Sequence, residues 1–473
     1  MSDELILAID QGTHSTRAIV FDRRGKLLAK AQQAVDLQVH SHTEIEQDPQ
    51  QLLDSMQQVL QDVLADPAVN AAQIVAAGLA TQRSSVVAWH RNTGAALGPV
   101  LSWQDRRTEP LMASLEARAQ QIEQRTGLRL SPHYGAGKLH WLLTNSPAVS
   151  AAAEQNELLC GPLASYLLYH LLHGHPALVD QANASRTLLW NLQSRDWDDY
   201  LLDLFSVPGN VLPACRPICS DYGNTVTGNI PLRAMNGDQT AALYAQGQPP
   251  DNTIMINIGT GAFVLLPVED PATRPAGLLA GISHSSAQSA SYYIEGTVNG
   301  AGAALQWASE RFAVDDLKQQ LPAWLASVED PPLFINTVGG LGAPWWQSGP
   351  QPYFSTPAPA APEAMVAVIE SILFLLQANI ALMQSQDPAI ERIRISGGLS
   401  NLDGLCQRLA NLSGLEVQRP YQVEATARGI AWQAAGGPAD WPATGAGETF
   451  TPEPDDKLHA RYARFIDTLQ SLL

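Results

Sequence analysis

Lysine is scarce in this chain of 473 residues, five against twenty-three arginines, and cysteine is scarcer still at four. The lysine shortage points to no function by itself. Cys160, Cys215, Cys219 and Cys406 are too few and too scattered for a disulfide scaffold. Cys215 and Cys219 form a C-x3-C pair, but no second pair or histidine cluster follows, so these thiols read as buried or indifferent rather than zinc-binding. The scattered histidines (His40/His42, His170/His173/His175) have no carboxylates at ligand spacing and read as surface or loop residues. Positive charge is also short: 28 Lys and Arg stand against 46 Asp and Glu, a formal net charge of −18. That excludes nucleic acid as an expected partner, because its binding rests on a positive field. A secretory leader pattern is lacking, since MSDELILAID sets acids ahead of a short apolar run. The greasiest helical stretch, residues 369–383, is interrupted by Glu370, Gln377 and Asn379, so no membrane span is expected. A cytoplasmic location is the expectation.

What is present is ordinary globular composition, 45% hydrophobic, in a length that suggests two to four domains. LILAID, QGTHST and RAIVFD read as strand, turn and strand, and LLAKAQQAV as a third strand. Residues 48–65 carry apolar side chains at helical spacing, with Asp48 as N-cap and Pro49 at the first position. IVAAGLAT and SSVVAWH are further strands. Some 250 residues after the first hairpin, TIMINIG, TG and AFVLLPV repeat the device of apolar strand, Gly-Thr turn and apolar strand. The repetition predicts a duplicated unit, with domains at 1–247 and 248–473 divided at the Pro/Gly-rich stretch 247–252. The Pro/Ala-rich run 355–364 reads as a surface loop or lid edge. Beyond it come a helix over 364–384, the strand RIRIS, a Gly-Gly turn, a helix over 402–412, a short strand and a helix over 424–435.

Three glycine elements carry the candidate chemistry. In the turn D-Q-G-T-H-S-T-R, Gly12 permits a tight hairpin, so the amides of Thr13, His14 and Ser15 can face an anion. Asp10 stands where it could serve a magnesium ion through water, and Arg17 adds fixed positive charge. An ordinary hairpin turn accounts for the same residues equally well. N-I-G-T-G-A-F, with Thr260, offers a second set of amides. I-S-G-G-L-S, with Gly398, sits between a strand and a helix, where amides meet a phosphate or bare glycines admit a flat base. In N-G-D-Q-T-A-A-L, Asp238 opens a helical run. Read alone it is a capping Asp; read functionally it is a general base for a substrate hydroxyl, with Gln239 bonding a second hydroxyl.

These segments, together with TQRSSVVAWHRNTG, SWQDRRT, DQANASRTLLWNLQSRDWDD, YIEGTVNGAGAALQW, GGLGAPWW and EATARGIAW, resemble the FGGY carbohydrate kinases, and within them the glycerol kinase branch, nearly end to end. The resemblance implies an α/β architecture of two actin-like, ribonuclease H-like ATPase domains with a cleft between them. It implies an ATP- and Mg2+-dependent kinase acting on a small polyol or sugar, and admits a homodimer or homotetramer. The N-terminal domain would hold the acceptor and the base, the C-terminal domain the nucleotide. By the same resemblance Asp238 is the catalytic base and Asp10 the magnesium carboxylate. Thr13, His14, Ser15, Arg17, Thr260, Gly302, Gln306 and Gly398 match nucleotide-contacting positions. His14 replaces a Thr of the pattern, and Leu402 replaces an adenine-contacting Asn.

The acceptor residues depart further. Arg83, Trp103, Asp238, Gln239 and Phe263 are kept, but Ser84 stands where the branch has Glu, and His133 where it has Tyr, with Tyr134 adjacent. A hydrogen bond to a charged group contributes about 1.5–3 kcal/mol. Loss of the carboxylate therefore weakens glycerol binding roughly ten- to a hundred-fold. The expectation is a pocket retuned to another polyol or a ketose of four to six carbons, with glycerol itself the main competitor. From another class, a catalytically degenerate regulator or ATPase switch on the same scaffold fits Ser84, His133 and Leu402, although a switch needs no polyol pocket.

Overall fold

The computed structural model describes residues 4–421, 424–441 and 447–473. It divides into two compact units, Met1–Pro249 with Gly281–Tyr292 and Val423–Ala443, and Pro250–Ala280 with Tyr293–Gln422 and Thr444–Leu473. The division is therefore not a single cut at 247/248, because two later segments belong to the first unit.

The first unit is organised on strands β1 (Leu5–Gln11), β2 (Ser15–Asp22), β3 (Leu27–Ala34), β4 (Ile74–Thr81), β5 (Cys219–Asn224) and β6 (Pro231–Gly237), in the spatial order β5-β6-β4-β1-β2-β3. The chain reverses from β1 to β2 and from β2 to β3, as the alternating apolar runs and tight turns predict. β1, β4 and β6 lie parallel, with Asp10 opposite Ala80 and Ala80 opposite Asn236. Helix α1 (Pro49–Leu64) covers β2 and β3 with Leu52, Leu53, Met56, Val59, Leu60 and Val63, and Asp48 accepts from the Gln50 and Gln51 amides at its start. Helix α7 (Ala425–Ala434) packs onto β1, β4 and β6. A smaller five-stranded sheet includes Val86–His90 and Leu158–Pro162.

In the second unit β7 (Thr253–Ile258) and β8 (Ala262–Val268) form the repeated hairpin. They belong to a seven-stranded sheet with β9 (Leu279–Ser285), β10 (Ala290–Val298), β11 (Arg392–Ser396), Glu416–Arg419 and Glu448–Phe450. β11 lies parallel to β7. The core gathers around helix α5 (Ala361–Gln386), which starts three residues earlier than expected, with Pro362 in its first turn. The 355–364 run is thus part helix. By length and composition α5 could cross a membrane, but most of its apolar window is buried inside the protein. Glu370 on this helix meets Arg461 in the C-terminal helix α8 (Asp456–Leu472) through two bonds of 2.7 Å. A buried carboxylate costs several kcal/mol in desolvation unless paired in this way.

Candidate active site

Parallel strands that end together bring the residues following them together. β1 delivers Asp10, β4 leads into Gln82, Arg83 and Ser84, and β6 leads into Asp238. Asp238 is the first residue of the short helix α3 (Asp238–Ala242), and its Oδ1 accepts from the Gln239 amide at 2.7 Å. Asn236, just before it, is fully buried: its Oδ1 accepts from Thr240 Oγ1 (2.6 Å) and the Gly237 amide, and its Nδ2 donates to Gln433 and to the Ser283 carbonyl. This fastening fixes where α3 begins and so where Asp238 stands.

Arg83 Nε lies 3.9 Å from Asp238 Oδ1, and Arg83 Nη2 donates to Gln239 Oε1. The guanidinium stem passes over Gly237, where a Cβ would meet it at 2.4 Å. Enclosure raises the Asp238 pKa above the ordinary carboxylate range, opposed by Arg83, the Gln239 amide and Arg186. Asp10 is buried. Burial carries its carboxyl up to about 7, with Arg17 opposing and Asp238 and Glu424 adding to the rise. Two carboxylates thus sense one another at the strand ends.

Arg17 is already paired within the first unit. It lies 3.4 Å from Asp10 and 3.1 Å from Glu424, which also pairs with Lys30. The expected phosphate contact of Arg17 would have to compete with these internal anions. Thr13, His14 and Ser15 form the β1–β2 turn, closed by the Gly12 amide bonding the Ser15 carbonyl at 2.9 Å, and His14 is exposed. Hydrogen bonds tie this turn to the acceptor residues: Trp103 Nε1 donates to Thr13 Oγ1 (3.0 Å), the Trp103 amide to Ser85 Oγ (2.9 Å), Ser85 Oγ to Gln82 Oε1 (3.0 Å), and the Gln82 amide to the Gln11 carbonyl (2.8 Å).

Ser84 is buried, with φ of 66°, a left-handed conformation uncommon for serine. Its Oγ donates to the Arg186 carbonyl at 3.4 Å. Lys138, fully buried in helix α2 (Gly135–Asn145), donates from Nζ to the carbonyls of Ser84 (3.1 Å) and His133 (2.7 Å), and so binds the two departures from the expected pattern to one amine. The His133 ring lies 5.6 Å from Trp103 and 5.0 Å from Tyr134, edge-on to both. The Arg186 guanidinium sits over Tyr134, 5.2 Å from the ring centre. Burial, then Lys138, Arg186, Arg83 and Arg106, hold His133 neutral, well below the usual imidazole range. Tyr134 is buried and forms the N-cap of α2, so it belongs to the wall around His133.

The remaining expected residues lie in the second unit. Thr260 tops the β7–β8 hairpin and is exposed; Phe263 on β8 is half-buried. Helix α4 (Gly302–Arg311) begins against that hairpin: the Thr260 carbonyl accepts from the Ala301 and Ala303 amides, and a Cβ on Gly302 would meet the Gly259 carbonyl at 2.7 Å. On the other side Gly397, with φ of 94°, crosses Ile258 so closely that a Cβ would meet its carbonyl at 2.4 Å. Gly398 beside it has open space where a side chain would be. Gln306 is exposed on α4 and bonds Glu310. Leu402 packs against the core at the start of helix α6 (Asp403–Ser413). The structure thus brings Thr260, Gly302 and Gly398 onto one backbone-lined edge.

The comparisons decide the family. Residues 5–244 match the N-terminal domain, and residues 254–436 the C-terminal domain, of the FGGY family of carbohydrate kinases. The chain belongs to that family. This FGGY chain is 32% identical over 466 residues to a glycerol kinase of Halorhodospira halophila, covering 96% of the chain and 92% of that protein. It is 34% identical over 455 residues to one of Paracidovorax citrulli, covering 91% and 90%. Its fold matches a Plasmodium falciparum glycerol kinase solved with ADP (TM-score 0.88, 22% identity, 99% and 98% of the two chains). It matches a xylulose kinase from Rhodospirillum rubrum nearly as well (TM-score 0.87, 20% identity, 99% of each). The mixed sheets and helices of both units fit the two-domain actin-like ATPase architecture.

Sequence reasoning passed over three charged residues around this candidate site. Arg186 and Glu424 lay inside quoted motifs, DQANASRTLLWNLQSRDWDD and EATARGIAW, and Lys138 stands five residues after His133. Local spacing gives no sign that a charged side chain will be buried; the only signal was their place in those motifs or near His133.

Proposed function

We propose that this chain transfers the γ-phosphoryl group of ATP to a hydroxyl of a small polyol or sugar, and that it is not optimised for glycerol. The observation that carries this is the delivery of Asp10, Arg83 and Asp238 to the ends of three neighbouring parallel strands. Asp238 orients the attacking hydroxyl and takes its proton late, because an alcohol is too weak an acid to be ionised beforehand by a carboxylate. Arg83 and Gln239 fix neighbouring hydroxyls, and the Trp103 and His133 rings bound the carbon skeleton, with Phe263 a further acceptor contact. In the first unit the turn amides at Thr13, His14 and Ser15 suit phosphate; in the second the backbone edge at Thr260, Gly302 and Gly398 suits nucleotide, with Gln306 beside it. Domain 1–247 with the segments folded onto it serves the acceptor, and 248–473 the nucleotide.

The residues also fit magnesium. Two mutually repelling carboxylates at a strand end suit a cation that takes one or two protein oxygens beside water and phosphate. Bound there, it would neutralise charge on the transferred group; Asp10 would hold it through water. Glycerol kinase proper remains the second reading, favoured by the two relatives' names and by the retained Arg83, Trp103, Asp238 and Gln239. A panel of polyols and ketoses that includes glycerol, followed by coupled ADP release, tests both. Strong turnover with one non-glycerol compound is expected. Best turnover with glycerol gives the second reading, and none with any compound contradicts both.

A further inference from the structure

Gln11, Gln47, Gln82 and Ser85 are all buried beside the β1–β2 turn. A buried amide costs free energy unless its polar atoms are bonded. Here the bonds run around a closed circuit. The Trp103 amide donates to Ser85 Oγ (2.9 Å), Ser85 Oγ to Gln82 Oε1 (3.0 Å), Gln82 Nε2 to Gln47 Oε1 (2.9 Å), and Gln47 Nε2 to the Thr13 carbonyl (2.9 Å). The Trp103 indole closes the circuit by donating to Thr13 Oγ1 (3.0 Å). Gln82 Nε2 also donates to Gln11 Oε1 (3.1 Å), which holds the circuit against the end of β1. Neither the turn nor the loop that carries Trp103 depends on it for closure. The Gly12 amide already bonds the Ser15 carbonyl, and the His14 carbonyl accepts from Val35. The loop is fastened by the Ser102 amide on Ile45, the Arg106 amide on Thr43, and Asp105, which accepts from the Ile45 amide. What the circuit adds is a hold on one residue from two sides: carbonyl and hydroxyl of Thr13 both lead back to Trp103. A hydroxyl that accepts from an indole keeps its own proton to donate, and the incoming bond polarises it toward an anion.

We infer that Gln47 and Gln82 are positioning residues: through this circuit, an acceptor seated against the Trp103 ring sets the Thr13 amide and hydroxyl that meet the phosphate. The inference rests on the kinase reading above. Both glutamines are buried and act through Thr13 and Trp103 rather than on either substrate. Occupancy at Trp103 therefore raises the affinity for ATP, and by linkage ATP raises the affinity for the acceptor by the same factor.

The test measures, by calorimetry on the full chain, the affinity of a non-hydrolysable ATP analogue with magnesium, with and without the best acceptor of the panel. Steady-state kcat and KM for that acceptor are measured alongside. In the wild type the acceptor should tighten the analogue about five-fold or more. Gln82→Met keeps the bulk and opens the circuit. It should bring that factor to about one and lower kcat about ten-fold, with the acceptor KM within about two-fold. Gln47→Met opens the circuit at Thr13 and carries the same comparison if Gln82→Met does not fold. Trp103→Phe removes the indole N–H, and joined with Gln82→Met it should give the kcat of the worse single variant, because members of one circuit act as a unit. A merely structural role would lower stability and leave the coupling factor in place. No tightening in the wild type, unaltered coupling in the glutamine variants, or additive losses in the double variant overturn the inference and leave the kinase reading intact. No turnover with any acceptor overturns the kinase reading itself.

Discussion

The two units solve similar problems with different materials. The first unit builds its candidate site from charged and aromatic side chains at strand ends: Asp10, Arg83, Trp103, His133 and Asp238. The second builds its edge from bare backbone, with Gly302 and Gly397 in contact distances that no side chain would permit. The charged pair buried in its core, Glu370 with Arg461, joins helix to helix. A side-chain site sets pKa values and selects substrates, while a backbone site presents amides that suit any phosphate chain.

Four substitutions test that contrast. Asp238→Asn should have the largest effect, lowering kcat by about 10²–10⁴ while nucleotide affinity, measured by calorimetry, is largely retained. Loss of nucleotide binding in this variant would show that the first unit's site is not confined to acceptor chemistry. Arg461→Met should lower unfolding stability by about 3–5 kcal/mol in urea titration, since it leaves Glu370 buried without its main partner. The folded variant should keep the wild-type ratio of acceptor substrates. Gly397→Ala should weaken nucleotide binding by about ten-fold or more, because the left-handed backbone and the Ile258 carbonyl both resist a Cβ. Its ranking of acceptors should not change. Arg83→Met should have the subtlest signature. On the proposed mechanism Asp238 works ionised, so the rate falls as pH drops through its pKa, which burial raises from the ordinary carboxylate value. Removing the cation that opposes the rise moves this acidic limb to higher pH. An unmoved limb would mean that Asp238 is not the group titrating.

The same contrast explains what could be read in advance. Hairpins β1–β2 and β7–β8 were legible because apolar runs flank a Gly-Thr turn, and α1 because its cap and spacing agree. The start of α5 was missed because Pro362 reads as a breaker, yet proline is tolerated in a first turn. The return of 281–292 and 423–443 to the first unit depends on contacts far apart in the chain, which no local pattern encodes. The backbone edge was announced by its glycines. Asp10, Arg83 and Asp238 were marked by motif and resemblance, and the fold sets them at the ends of neighbouring strands. Lys138, Arg186 and Glu424 were not singled out, because a charge becomes a site residue only when tertiary packing encloses it. Arg17 illustrates the converse: its motif marks it for phosphate, and the fold gives it Asp10 and Glu424 first.

The most direct test is to count both products of one reaction. With ATP, magnesium and the best acceptor, ADP and phosphorylated acceptor should form one to one, with little ADP when the acceptor is omitted. Equal ADP release with and without acceptor, and no phosphate ester, would identify an ATPase and contradict the account.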